Sequence, residues 1–350
     1  MTDRYRPEDL VASTATLFAR AGLDDAIART VADVLVAADL LGYDTHGLQF
    51  VPAYLKDIES DRWTLSGEPK IVKDEGAALV IDGGNLPGQW VMMRALDLIL
   101  PRAADLPLVA ISIHRCQNIS CLAVYMRRVA MEGLLGLLAA SAPTNAVVAP
   151  HGGRTPLYST NPFAAGIPTE DTPILIDTSS SSTTNRRIER THRAGDRLPQ
   201  RWLVDNEGRP SDDPACIYDD PPGAILPAGG VDQGHKGFAL GLLVEALTSG
   251  LSGHGRAGQP PVRGNVVYLQ LINPRAFGGI EAFRMETSTL ARSCRDSAPV
   301  AGGPPVRLPG DRAATLHERQ IREGIALHDE VMPRLRPLLS KYGVAAPAPI

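Results

Sequence analysis

The chain opens on helical spacing. Apolar residues fall at Leu23, Ile27, Val31, Val34, Leu35, Ala38 and Leu41, the three-and-four rhythm of one helix face. Asp24 and Asp25 sit near the positive N-terminal end, and Gly42 supplies a stop. A short loop, YDTHG (43–47), follows, and 48–58 reads as another helix with Pro52 in its first turn. The pattern then switches. KIVKDEGAALVIDGG (70–84) has short β-rich runs broken by Asp, Gly and Lys, which predicts a hairpin. Residues 86–100 return to helix, PLVAISI (107–113) reads as a buried strand, and 123–132 is a helix ended by Gly133. LLGLLAAS (134–141) is a strand or a buried continuation.

Short apolar runs between prolines and glycines continue to Asp177. TSSSSTTN (178–185) is then wholly polar; its length and flanks predict a loop lining a site, not a linker. A loop-rich segment fills 190–234. HKGFALGLLVEALTSGLSG (235–253) predicts a helix apolar on most faces and therefore buried. VVYLQLI (266–272) is a strand, and helices follow over 281–296, after the LPGDR run at 308–312, and over 328–343 with Gly343 as cap. VAAPAPI (344–350) predicts a loose tail. There is no internal repeat and no regular strand–helix–strand rhythm. That favours a mixed α/β, or α+β-like, arrangement over a doubly wound parallel sheet.

Composition adds mainly exclusions. With 350 residues, 44% of them hydrophobic, the chain can bury a substantial core. A net charge of −4 offers no basic excess for nucleic acid. The longest apolar runs, such as 133–140, are too short to cross a bilayer. The polar N-terminus carries no apolar signal-peptide region. Cys116, Cys121, Cys216 and Cys294 are scattered and predict free thiols in a cytoplasmic protein.

Candidate chemistry is thin motif by motif. The one G-x-G-x-x-G, at Gly253, Gly255 and Gly258, follows a helix where a dinucleotide fingerprint follows a strand, so it predicts only a loop. No Walker A, no G-x-S-x-G elbow and no metal-binding histidine spacing occurs. Asp44-Thr45-His46-Gly47 places an imidazole in a loop beside a carboxylate, a position suited to moving a proton. On spacing alone, a capping turn with an exposed histidine is the stronger reading. Thr160-Asn161-Pro162 supplies hydroxyl and amide donors. Asp177 to Ser181 supplies hydroxyls and backbone N–H groups able to hold a phosphate or ribose. Ordinary strand-ending turns would account for both. Lys236 opens a helix, where the macrodipole gives a cation no advantage.

In order along the chain, AADLLGYDTHGL, VIDGGNLPGQ, APHGGRTPLYSTNPFAAGIP, WLVDNEGRPSDDP, GHKGFALGLLVEAL and VRLPGDR resemble segments of the malate/L-lactate dehydrogenase family. That family also holds ureidoglycolate and sulfolactate dehydrogenases and piperideine- and pyrroline-carboxylate reductases. The resemblance covers nearly the whole chain. It implies a non-Rossmann fold with a helical lobe, a cofactor lobe on a largely antiparallel mixed sheet, and a homodimer with the active site near the interface. By that likeness, 1–75 is the helical substrate-side lobe, 76–300 the cofactor-binding domain, and 301–350 the helices packing back on the first lobe. NAD or NADP would lie against Ser141, Thr160, Asn161, Asp177, Thr178, Ser179, Lys236, Pro309, Gly310 and Asp311. Substrate would meet Thr45, His46 and Arg187.

Departures from the family pattern cluster at the expected pocket. The family's Asn-Ser-x-His-(Phe/Ile/Tyr)-Gly run, whose histidine is its proposed proton donor and acceptor, is here Arg115 to Ser120. Asn118 falls at the histidine. An amide polarises a carbonyl but exchanges no proton near neutral pH; losing a general acid costs roughly 10²–10⁴-fold in rate. Phe50 stands where many members carry an arginine, Arg186-Arg187 replaces a Gly-Lys pair, and Asn273 replaces an aspartate. The expectation is an NAD(P)-dependent oxidoreductase of a small 2-oxo or 2-hydroxy acid, or of a cyclic imine acid. His46, or Asp205 through a water, would supply the proton, and Asn118 would polarise the carbonyl. The alternative is a relative that binds cofactor or a partner without turnover.

Overall fold

The structure, a computed structural model, describes residues 3–257 and 264–350. After a two-residue strand β1 (Arg4–Tyr5), helices α1 (Pro7–Arg20) and α2 (Asp25–Leu40) pack as an antiparallel pair. The Asp24 carboxylate caps α2 by accepting from Ala26 N–H at 2.9 Å, as expected for an N-cap aspartate. Helix α3 (Val51–Glu59) follows the loop at 41–47. The predicted hairpin is present as β2 (Lys70–Asp74) and β3 (Ala78–Asp82). Next come α4 (Gly88–Asp105), β4 (Leu108–Cys116), α5 (Leu122–Met131) and β5 (Leu135–Ser141), then β6 (Pro162–Ile167), β7 (Ile174–Ser179) and α6 (Asn185–Arg193).

The loop-rich segment holds three two-residue strands, β8 (Leu203–Val204), β9 (Pro210–Ser211) and β10 (Ala224–Ile225), which form a small separate sheet. Helix α7 (Gly230–Glu245), strand β11 (Asn265–Ile272), α8 (Ile280–Arg295), α9 (Asp311–Glu323), β12 (Ile325–Ala326) and α10 (Val331–Lys341) complete the chain.

Seven strands make the main sheet in the order β2-β3-β4-β11-β5-β6-β7. Only β3 and β4 pair in parallel, through α4; every other pair is antiparallel. The mixed, mostly antiparallel arrangement read from the sequence is therefore the one observed. The central strands bury one face completely: Val109, Ile111, Ile113, Leu138, Val267 and Leu269 are inaccessible, while Ala110, Leu137, Tyr268 and Gln270 on the other face are half-buried. One continuous core joins these strands to Leu17 and Leu35 of the first helices and to Leu335 and Leu339 of the last. A second, smaller cluster around Val148, Leu203 and Ile225 supports α6 through Ile188, the only buried residue of that helix.

Three expectations fail for identifiable reasons. The tail is anchored: Ile350 N–H donates to Arg4 O at 2.9 Å, and β1 pairs with β12, a long-range closure with no local signature. Helix α7 is not buried all round. Its Leu242 and Leu243 are about half exposed, at 53% and 51%, because only one flank of the helix meets the rest of this chain. The polar stretch from Thr178 is partly strand, since β7 runs through Ser179. Gly253 and Gly255 lie in a loop after the helical segment at 246–252, and Gly258 lies outside the described residues. All four cysteines are free thiols, and no described helix is long and apolar enough to cross a membrane.

Candidate active site

A cleft of about 550 Å³ opens where the 43–47 loop, the 117–120 loop, the end of β7 and the start of α6 converge. Cavities of about 620 and 700 Å³ lie elsewhere, so chemistry and not volume singles out this one. It alone among these three brings together His46, Asn118 and the Asp177–Ser179 strand end.

The 43–47 loop is held from beneath. Asp39, in the last turn of α2, is buried, and its carboxyl accepts from Leu48 N–H at 2.8 Å. Gly47 crosses directly over that carboxyl, where any Cβ would collide with it. Gln320 of α9 donates to Asp39 O and Leu40 O at 2.9 and 3.0 Å, satisfying carbonyls that the helix end leaves open. Above, the Ser120 hydroxyl donates to His46 O. His46 Nδ1 lies 2.8 Å from Thr45 Oγ1, so Nε2 is the nitrogen left for substrate. Burial, and then the nearby Arg186 guanidinium, push the imidazole down to about 4, against the opposing pull of Asp44. The ring is neutral at pH 7 and ready to accept a proton.

Asn118 is oriented by a chain of hydrogen bonds with only one consistent polarity. Ser120 N–H donates to Asn118 Oδ1 at 2.9 Å, which excludes the flipped amide. The Tyr54 hydroxyl therefore donates to the same oxygen at 2.8 Å, and Gln89 Nε2 donates to Tyr54 at 2.9 Å. With its oxygen used twice, Asn118 presents its N–H₂ group to the cleft. Gly88 lets this loop lie on the start of α4, since a Cβ there would strike the Gln117 and Asn118 carbonyls.

The cation of the cleft is Arg186. Its guanidinium stacks over the Phe50 ring at 4.8 Å and pairs with Glu189 at 2.7 Å. Phe50 in turn stacks on Tyr54 at 5.2 Å and meets His46 edge-on. Arg187 points away and covers Trp202 at 4.8 Å. Of the two arginines it is thus Arg186, not the expected Arg187, that lines the cleft, because adjacent helix residues face directions about 100° apart. Asp205 also stands apart. It closes the turn between β8 and β9, accepting from Glu207 and Arg209 N–H at 2.9 and 2.8 Å, and does not line the cleft.

The expected cofactor residues divide. Thr160, Asp177, Thr178 and Ser179 line the cleft with Thr45. β7 is an edge strand of the sheet. Leu175 N–H points away from β6 and bonds Pro309 O at 3.2 Å. By strand alternation the main-chain groups of Asp177 and Ser179 face the same open edge. The Asp177 side chain turns inward and accepts from Ala123 N–H at 2.9 Å at the start of α5. Burial raises its carboxyl to about 6, against those amides. Asn161 and Ser141 are structural here. Asn161 Nδ2 ties β6 to Gly241 O and Glu245 at 3.1 and 2.9 Å, and the Ser141 hydroxyl bonds Thr248 at 2.8 Å. Lys236 stands exposed on α7, outside this cleft. Pro309, Gly310 and Asp311 meet the other end of β7.

Asp39, Tyr54 and Gln89 carry no role in the sequence reading. Asp39 had a visible signal, a lone carboxylate inside an apolar helical run. Tyr54 and Gln89 had none, since their partners, Asn118 and Tyr54, lie 64 and 35 residues away along the chain.

The sheet is largely antiparallel and ends in the edge strand β7, which faces the half-buried His46 across a polar cleft; this is not the doubly wound parallel sheet of a Rossmann domain. The chain belongs to the malate/L-lactate dehydrogenase family, whose profile matches residues 5–336. It is 27% identical over 332 residues to a malate/(S)-sulfolactate dehydrogenase of Methanothermus fervidus, covering 92% of this chain and 93% of the other. It is 30% identical over 336 residues to a Δ1-pyrroline-2-carboxylate/Δ1-piperideine-2-carboxylate reductase of Pseudomonas putida, covering 92% and 93%. The crystal structure of a malate dehydrogenase from Entamoeba histolytica superposes with a TM-score of 0.91 at 23% identity, covering 99% of this chain and 100% of that one, and so shares the fold.

The buried Asp39 gives a first test. Burial raises its carboxyl to about 8, against the Leu48 N–H that favours the charge. Between about pH 4 and 8 the unfolded chain has released this proton while the folded chain keeps it, so this group's contribution to stability falls as pH rises. Asp39→Asn removes the titration and keeps an acceptor for Leu48. Thermal melts should show the variant gaining on the parent steadily from pH 5 to pH 8. A difference independent of pH would show that Asp39 is not held protonated.

Proposed function

We propose that this chain is an NAD(P)-dependent oxidoreductase that interconverts a small 2-oxo acid and its 2-hydroxy acid, or reduces a cyclic imine acid. The observation that carries the reading is the neutral, oriented His46 facing the open edge of β7 across one cleft. Asp177 to Ser179 offer main-chain groups and hydroxyls along that edge, the donor set suited to ribose and phosphate, and among the described residues no other segment's backbone bonds it between the cleft and Pro309. A bound nicotinamide cofactor supplies or takes the hydride. The 1–75 segment would carry the substrate side and 76–300 the cofactor side, with 301–350 bracing the first lobe.

The protein's residues perform the remaining tasks. Arg186 holds the substrate carboxylate, with Thr45 beside it. Asn118 donates its amide N–H to the carbonyl oxygen or to the second carboxylate oxygen, drawing electron density from the reacting carbon. In the oxidative direction His46 Nε2 accepts the hydroxyl proton; in reduction it returns that proton. A bound carboxylate offsets the Arg186 charge and raises the basicity of His46, so the proton acceptor strengthens as substrate binds. A substrate reduced as a cyclic iminium already carries its proton and asks for less from the site. The intact cleft gives no support to a purely structural role.

NADH and NADPH oxidation by the purified protein, across 2-oxo acids and cyclic imine acids, tests the whole reading. Turnover on at least one compound is expected; none, from folded protein, would overturn it. His46→Gln should lower turnover roughly 10²–10⁴-fold on an oxo acid. In the free enzyme, kcat/KM for hydroxy-acid oxidation should stay level from pH 8 to about 5 and fall below. An acid limb near 7 would remove His46 from this role.

Arg186→Ala should raise KM for the acid by about tenfold or more, as expected for a lost charge-assisted pair, and Arg187→Ala should leave it nearly unchanged. The reverse pattern would restore Arg187 to the substrate side.

We further infer a homodimer formed through the exposed face of α7. Val231, Leu242, Leu243 and Leu251, each more than half exposed, make an apolar surface of the kind that marks protein contacts. Sedimentation should find a dimer, and Leu243→Asp should release monomer. A dimer unaffected by that charge would place the interface elsewhere.

A further inference from the structure

The open edge of β7 leads out of the cleft toward a second, strongly cationic cavity. From Ser179 to Leu175 the strand covers about 13 Å. At Leu175 it meets the 308–311 loop: Pro309 O accepts from Leu175 N–H at 3.2 Å. Gly310, at φ +96°, lies so close that a Cβ would come within 2.9 Å of Leu175 N. Beside this junction is a cavity of about 700 Å³ walled by Arg295, Arg307, Asp311, Arg312, Glu318 and Arg319. Four guanidinium groups thus face two carboxylates, in a chain whose net charge is −4.

The loop's own carboxylate is already committed. Asp311 accepts two hydrogen bonds from Arg295, at 3.1 and 2.7 Å, and a third from Leu308 N–H at 2.8 Å. The Arg295 bonds, with help from Leu308 N–H and the charge of Arg307, hold it below the usual aspartate range despite partial burial. It is ionised and saturated with donors. Arg307, Arg312 and Arg319 form no ion pair among the described residues. All three are exposed to solvent at the cavity wall.

This arrangement bears on which nicotinamide dinucleotide the chain takes. The two forms differ by one phosphate monoester on the adenosine ribose. A free carboxylate suits the unphosphorylated diol, while arginine suits the phosphate by charge and by its planar fork of donors. At this end of β7 the loop carboxylate is spent and three guanidiniums are unpaired. We propose that the Arg307–Arg312–Arg319 cavity binds the 2′-phosphate of NADP, and that the chain prefers NADP to NAD. The proposal rests on the cofactor reading given above. It places the adenosine end at the 308–312 loop and the nicotinamide end at His46.

Isothermal titration of the full-length protein with NADPH, NADH, 2′,5′-ADP and 5′-ADP tests it without turnover. NADPH should bind at least about tenfold more tightly than NADH, and 2′,5′-ADP more tightly than 5′-ADP. Arg307→Ala and Arg312→Ala should each weaken NADPH about tenfold and leave NADH unchanged, with circular dichroism confirming folded protein. Raising ionic strength should weaken NADPH more than NADH, as screening predicts for an exposed charge contact. Equal affinity for the two dinucleotides, or variants that weaken both alike, would overturn the arginine site and leave the cofactor reading standing. Failure of folded protein to bind either dinucleotide would overturn both.

Discussion

The cleft depends on one buried carboxyl. Asp39 is 6% exposed at the end of α2, and it fixes the entry to α3 by taking the first N–H beyond the 43–47 loop. Burying it costs free energy that the single backbone donor only partly returns, which is why its proton is retained well above the ordinary aspartate range. What the cost secures is the path of the backbone over Gly47, and with it the place of His46. The helix that carries Asp39 is in turn closed by Gln320, contributed from 281 residues away. The position of His46 is therefore a property of the packing between α2 and α9 more than of the loop that carries it.

Phe50 occupies a position where an arginine is common in the resembled family. The ring has become a platform on which the Arg186 guanidinium rests, so a cation reaches the same cleft from α6. That helix has a single buried residue, Ile188. Besides ring contacts of Arg187 with Trp202 and His192 with Tyr218, it is tied by ion pairs: Arg190 to Asp44 at 3.2 Å and Arg193 to Glu330 at 2.7 Å. Partly exposed pairs of this kind contribute little each. Together they help orient a helix whose apolar anchor is small, and they connect it both to the 43–47 loop and to the C-terminal segment.

Much was legible in the sequence. Periodicity located α2, α3, the β2–β3 hairpin and the strands β4 and β11, because amphipathic and apolar patterns are encoded by local spacing. The ordered motifs carried the family, and His46, Asn118, Thr160 and Asp177 to Ser179 do meet in one cleft. Illegible were the features that depend on partners far along the chain. The tail from 344 to 350 is anchored by a strand at the opposite terminus. Asn161 and Ser141 bond segments about 80 and 107 residues away, so donors that read as cofactor ligands are consumed by packing.

The sequence by itself determined the class of fold, the family and the residue types available for chemistry, since these follow from composition, local period and the order of short motifs. Only the tertiary structure decided which side chains face the cleft. It chose Arg186 over Arg187 by helix rotation, removed Asp205 to a distant turn, and set the polarity of the Gln89–Tyr54–Asn118 chain through one backbone N–H of Ser120. The physical reason is that direction is a three-dimensional property. A residue's chemistry is written at its own position, but the atom it presents is chosen by neighbours that the chain brings to it only on folding.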